Sequence, residues 1–176
     1  MKKVLLAVGV IILAGIGYII YMFATTKSHS PKDIVTVNGS GLEISVEYCR
    51  PYKKDREIFG SLVPYDTYWR TGANDATEIS FSKDVLFGSK SVSAGRYRLY
   101  TIPSEGEWEV VLNSQLGEWG YFEPDYTLDV ERVEVPVQTT DNIVEQFTIS
   151  IDSNGNQFNL NMVWDQTRVT VPISKQ

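Results

Sequence analysis

The chain has 176 residues, of which 16 are Lys or Arg and 22 are Asp or Glu, giving a formal charge of −6. Every acidic residue lies after residue 24, whereas Lys2 and Lys3 lie before it, so 14 basic side chains face 22 acidic ones in the remainder, a charge of −8. Nucleic-acid binding needs a basic footprint that displaces counterions from phosphates, and that balance excludes it. The single cysteine, Cys49, excludes an intramolecular disulfide and a thiolate-rich metal site.

The first element is apolar. Val4–Ala24 is a run of 21 residues without a charge, preceded by Lys2 and Lys3. About 20 apolar residues span a bilayer core, whereas the apolar part of a cleaved signal is usually about 7–15. Residues 1–24 are therefore expected to form one transmembrane helix, a signal anchor. By the positive-inside rule its amino terminus lies in the cytoplasm and the rest of the chain in the periplasm. A cleaved signal with secretion to the periplasm is the alternative, although Met22-Phe23-Ala24 makes a poor cleavage site. Residues 25–32 read as a polar tether. It takes His29, the only histidine, out of the folded part and so removes imidazole from any site there.

Residues 33–176 read as one β domain. Leu42, Ile44, Val46 and Tyr48 alternate with polar neighbours, as do Ile79 with Phe81, Tyr97 with Leu99 and Thr101, and Trp108 with Val110 and Leu112. A period of two marks half-buried strands. Around Arg132 the alternation changes phase between Val130 and Val133, which predicts a β-bulge. Phe147, Ile149 and Ile151 lead through Asn154-Gly155 into Phe158, Leu160, Met162 and Trp164, a hairpin with the Asn-Gly that a type I′ turn requires. A short turn at Asp165-Gln166 then precedes a last strand with Val169, Val171 and Ile173. No long window has helical spacing. The expected fold is all-β: an antiparallel two-sheet sandwich or jelly-roll-like barrel of about nine to ten strands.

Between two such strands runs Arg50–Thr77, long and irregular. A structureless loop of that length inside a compact domain is usually functional. With Tyr48-x-Arg50-Pro51, Arg56-x-Ile58-Phe59-Gly60, Leu62-Val63-Pro64-Tyr65 and Trp69-Arg70-Thr71-Gly72-Ala73-Asn74, the chain resembles the bacterial family catalogued as domain of unknown function 2911. Ala76-Thr77, Ala94-Gly95-x-Tyr97, Thr101-Ile102-Pro103, Trp108, Trp119-Gly120 and Arg132-Val133 extend the resemblance over about residues 31–173. Lys53-Lys54-Asp55 departs from it, because the family tends to carry a glycine before the second arginine. The resemblance implies a secreted or membrane-tethered β domain and no particular activity.

Two constellations could carry function. Arg50, Arg56 and Arg70 fall in one loop with Asn74, and guanidinium forks bind carboxylates or phosphates bidentately. The alternative is that they pin the loop by pairing with Glu47, Asp55, Asp75 or Glu78. Trp69 either stacks on a ligand or plugs one end of the sandwich. In Gly117–Tyr126, Trp119 and Tyr121 offer rings on which a sugar could stack; alternatively the loop folds its rings back on the sheet. If that loop lies beside Arg70, the two form one cleft. Carboxylate pairs show no glycosidase spacing, no serine nucleophile motif is present, and no cofactor or metal is implied. The sequence thus favours a non-catalytic module, one that binds a ligand or a protein partner or serves a structural role. A glycan-binding module and an enzyme using the arginine loop are the alternatives.

Overall fold

The computed structural model describes residues 2–176; the side chains of residues 2–8, 22–24, 26 and 27 lie outside that description. Helix α1 covers Lys2–His29. The apolar run Val4–Ala24 therefore begins and ends among side chains that are not described. Among the described residues no helix is long and apolar enough to cross a membrane. Ile11, Ile12, Leu13, Ile19 and Ile20 of α1 are nonetheless 55–70% exposed. The helix continues through Thr25–His29, where the sequence suggests a tether. Thr25 Oγ1 donates to the Tyr21 carbonyl (2.9 Å) and Ser28 Oγ to that of Thr25 (2.6 Å), so these hydroxyls bond back along the helix and do not break it.

Ten strands follow: β1 Lys32–Gly39, β2 Leu42–Cys49, β3 Thr77–Phe81, β4 Val85–Phe87, β5 Lys90–Val92, β6 Gly95–Ile102, β7 Glu107–Asn113, β8 Asp129–Pro136, β9 Gln138–Asn154 and β10 Gln157–Lys175. They build a six-stranded sheet in the order β1-β2-β3-β6-β7-β8 and a four-stranded sheet in the order β5-β4-β10-β9. All pairings are antiparallel.

The alternation places the core. Leu42, Ile44, Val46, Ile79, Leu99, Val110 and Leu112 of the larger sheet meet Phe147, Ile149, Phe158, Leu160, Val169 and Val171 of the smaller one, all of them buried. Each such side chain contributes roughly 1.5–3 kcal/mol when fully buried. At one end of this core five rings pack together. Trp69 lies 5.8 Å from Phe59, 5.8 Å from Trp108, 5.1 Å from Phe147 and 6.0 Å from Trp164. Trp69 is buried among these rings.

Three local expectations are corrected. Asp165-Gln166 is not a turn: β10 runs straight through, with register shifts on either side of Asp165, whose φ is 54°. This bulge aims the Asp165 carboxylate at Lys53 Nζ, 2.5 Å away, and so ties the strand to the Arg50–Thr77 loop. The last hairpin turns on Gly155-Asn156, because Asn154 pairs with Gln157. Gly155 alone has positive φ (63°), so the first central position takes the glycine, as a type II′ turn requires. The bulge expected in β8 is present, but at Val130: Leu112 faces Glu131 and Asn113 faces Asp129.

The outer face of β6 and β7 is not solvent-exposed at Arg98, Tyr100, Val111 and Asn113. The segment between β7 and β8 folds back over it. Asn113 Nδ2 donates to the Asp125 carbonyl (2.9 Å) and Tyr100 Oη to Asp129 Oδ2 (2.8 Å). Arg98 Nη2 donates to the Tyr68 hydroxyl and to the Phe122 carbonyl (2.6 Å). Alternation alone marks these positions as polar and outward. The covering segment is what buries them.

Candidate functional site

The Arg50–Thr77 loop is held at many points. Arg50 N–H donates to the Pro31 carbonyl (2.9 Å), Lys53 N–H to that of Glu145 (2.7 Å), and Phe147 N–H to that of Pro51 (2.9 Å). Trp69 and Thr101 exchange both backbone bonds, at 2.8 and 3.0 Å. The Trp69–Asn74 run then turns sharply, with Thr71 at φ 55°, Gly72 at 150° and Asn74 at 57°. A Cβ on Gly72 would lie 2.8 Å from the Cys49 carbonyl oxygen, so only glycine fits there. Thr77 Oγ1 closes the turn by donating to the Thr71 carbonyl (2.8 Å).

The three arginines have different surroundings. Arg50 is a fastener: it pairs with Asp33 (3.1 Å) and donates to the Phe147 carbonyl (3.2 Å) and Thr148 Oγ1 (2.9 Å). Arg56 is exposed and donates only to carbonyls, those of Lys53 (2.8 Å) and Tyr52. Arg70 is half-buried and, among the described residues, has no ion pair and no hydrogen bond. Its guanidinium sits 5.9 Å from the Tyr121 ring centroid, a cation–π contact, and burial holds its pKa below the usual arginine value. Of the carboxylates offered as partners by the sequence, none pairs with Arg56 or Arg70.

Arg56, Trp69, Arg70 and Asn74 line one cleft of about 380 Å³ at the end of the sandwich. Lys54, Leu62, Val63 and Trp164 complete it, and His29 and Ser30 close it from the end of α1. His29 therefore belongs to the cleft, which corrects the expectation that imidazole is absent from any site. Its charged side chains are Lys54, Arg56 and Arg70, with His29 and Tyr52 beside them, and among the described residues no carboxylate lines it. Asn74 is buried and donates from Nδ2 to the Ser30 carbonyl (3.4 Å), joining the loop to the chain that leaves the helix.

The Gly117–Tyr126 segment does lie beside Arg70, but its two rings part. Gly120 is wedged against the loop: its N–H donates to the Asn74 carbonyl (3.0 Å), and Tyr68 Oη donates to the Gly120 carbonyl (2.9 Å). A Cβ at Gly120 would lie 2.8 Å from Arg70 Cδ and 2.9 Å from the Asn74 oxygen. Tyr121 follows Gly120 to Arg70 and stays 68% exposed. Trp119, bridged to Asp75, lines a separate depression with Glu47, Asp75, Glu78, Glu118 and Arg96 on the outer face of the six-stranded sheet. Trp119 and Arg70 thus do not share one cleft.

Sequence reasoning missed His29, Lys54, Leu62, Val63 and Trp164 as lining residues. The signal for Lys54 was its place next to Arg56; nothing local marked Trp164, which arrives from the far end of the chain. Cys49 is buried, and burial raises its thiol pKa, the reverse of a reactive setting. Tyr68, under the Gly120 flap, is likewise raised by burial, with Arg98 and Arg70 pulling the other way.

No curated protein and no solved structure matches the chain. A family model matches residues 30–173, which takes in all ten strands except the last residues of β10 and the whole arginine loop. On that match, the chain belongs to the family described as a protein of unknown function (DUF2911).

Proposed function

We propose that this protein is a non-catalytic binding domain, tethered to the outer face of the cytoplasmic membrane by α1, which takes an anionic ligand in the Arg70 cleft. One observation carries the reading. In a chain of net charge −6, the cleft is lined by Lys54, Arg56 and Arg70 and, among the described residues, by no carboxylate, and the half-buried Arg70 guanidinium there lacks a counter-charge. A buried charge is costly unless it is paired, so an anion entering beside Arg70 recovers what the fold leaves unsatisfied. The apolar, exposed side chains of α1 support the tether, because among the described residues no part of the domain covers them. Cleavage after α1, with release to the periplasm, is the alternative.

A ligand that binds only the folded state raises its stability by mass action, about 2.7 kcal/mol at a hundredfold excess over Kd. Inorganic phosphate and citrate should therefore raise the Tm of the full chain. Arg56→Gln and Arg70→Gln should remove that rise. Equal shifts in wild type and variants would reduce the effect to salt and remove the proposal.

The Trp119 depression favours a second reading, a glycan-binding module. A half-buried indole there stands beside Asp75 and Glu118, acceptors suited to sugar hydroxyls. A glycan array with wild type and Trp119→Ala tests it. No binding by wild type, or equal binding by both, discards it.

A further inference from the structure

The Arg70 cleft has two chemistries in one enclosure. Its buried lining holds Val63 (4% exposed), Trp69 (7%) and Trp164 (2%) beside the amide of Asn74 (5%). Its exposed lining mixes the basic Lys54 and Arg56, with His29, and the apolar faces of Leu62 (44% exposed) and Tyr52 (38%), while Arg70 is half-buried. A volume of about 380 Å³ is that of a small organic ligand, far more than a bare phosphate or chloride fills. An inorganic anion would satisfy Arg70 and leave water against Leu62 and Tyr52. An anion joined to an apolar chain or ring would satisfy the guanidinium and also remove that apolar surface from water.

Resting on the anion-binding reading above, we infer that the ligand is an amphiphilic anion, a carboxylate or phosphate carried on an apolar body, with its charge at Arg70 and Arg56 and its body against Leu62, Tyr52 and the exposed edge of Trp69. The position of the mouth agrees with this. His29 and Ser30, where the chain leaves α1, form part of the lining. With α1 in a bilayer, the opening therefore stands at headgroup level, within reach of anionic lipids and of free acids partitioned at the surface.

Trp69 and Trp164, which line the cleft, are the reporters for the test, and Trp108, 5.8 Å from Trp69, emits with them. Full-length protein, in a Trp119→Phe background to remove emission from the separate depression, is reconstituted in phosphatidylcholine vesicles. It is titrated with 12-bromododecanoate, with its neutral methyl ester, or with inorganic phosphate. A parallel set contains brominated phosphatidylglycerol in the vesicles. Bromine quenches tryptophan only at contact.

The expected result is saturable quenching by bromododecanoate at concentrations roughly tenfold or more below the ester, the worth of one charge-assisted hydrogen bond. Arg70→Gln should weaken it by a similar factor. Arg56→Gln, at an exposed side chain, should weaken it less. Stronger quenching by brominated phosphatidylglycerol identifies the lipid as the source, and quenching by the free acid alone identifies a soluble amphiphile. Phosphate that stabilises the protein through Arg70 while bromododecanoate and its ester quench alike overturns this inference and leaves the anion site standing. Neither phosphate stabilisation nor acid-selective quenching overturns both.

Discussion

Gly120→Ala probes the wedge that joins the aromatic segment to the arginine loop. The new methyl carbon would lie 2.8 Å from Arg70 Cδ, 2.9 Å from the Asn74 carbonyl oxygen and 3.0 Å from the Ala76 nitrogen. Two of these neighbours are backbone atoms and cannot rotate away. If the segment stays in place, the overlap costs about 1–3 kcal/mol, as overpacking does. If it lifts, it gives up the Gly120–Asn74 bond (3.0 Å), the Ala76–Glu118 bond (3.3 Å) and the Tyr68–Gly120 bond (2.9 Å), each worth about 1 kcal/mol net. The two routes bound the cost at about 1–3 kcal/mol. For a domain of this size that lowers Tm by roughly 2–12 °C. Gly106→Ala is the control, because a Cβ there meets nothing within 4 Å. Scanning calorimetry and amide exchange of residues 74–76 check the expectation. A Tm for Gly120→Ala equal to that of Gly106→Ala would refute the wedge and the placement of Tyr121 beside Arg70.

Arg50→Ala should destabilise the domain by about 2–4 kcal/mol in denaturant titration, since it deletes one ion pair and leaves the Phe147 carbonyl without its arginine donor, yet should leave anion binding at Arg70 unchanged. Cys49, buried and with a raised thiol pKa, should resist alkylation in the native state and react fully once unfolded; rapid native labelling would contradict its placement. Glu47 has its carboxyl pKa lowered, first by the hydrogen bond from Lys32 and then by the charges of Lys32 and Arg96. A depressed folded-state pKa means that its stabilisation is fully present above the unfolded value near 4.5 and fades as pH falls through the lower folded value. Glu47→Gln should therefore flatten the fall of Tm below about pH 5, and a profile identical to wild type would show that the pair contributes nothing.

What the sequence makes legible follows from which forces are local. Alternation reports burial on one face, and β2, β3 and the first half of β7 obey it because water lies on their other side. Arg98 and Tyr100 follow the same alternation, yet they are buried, because a segment more than twenty residues away covers them. No periodicity in β6 could reveal that. Asp165 reads as a turn residue, and it does adopt positive φ, but pairing with β9 on both sides holds the strand together through the bulge.

The site divides in the same way. Arg56, Trp69, Arg70 and Asn74 converge because one loop carries them. Arg50 departs because it follows β2 directly and meets β9 carbonyls before it can reach the cleft. Trp119 departs because its bridge to Asp75 leaves it over the outer face, while its neighbour Gly120 turns inward. Lys54, His29 and Trp164 come from three separate parts of the chain. Their meeting is a product of the fold and not of any motif.

Resolved arginine Nε–Hε signals in a proton–nitrogen NMR titration of the full chain with inorganic phosphate test the anion site most directly. The account predicts saturable shifts at Arg70 and Arg56, with Arg50 and Arg132, already paired to carboxylates, unmoved. An Arg70 signal that does not saturate, or that moves in step with every other arginine, would contradict it.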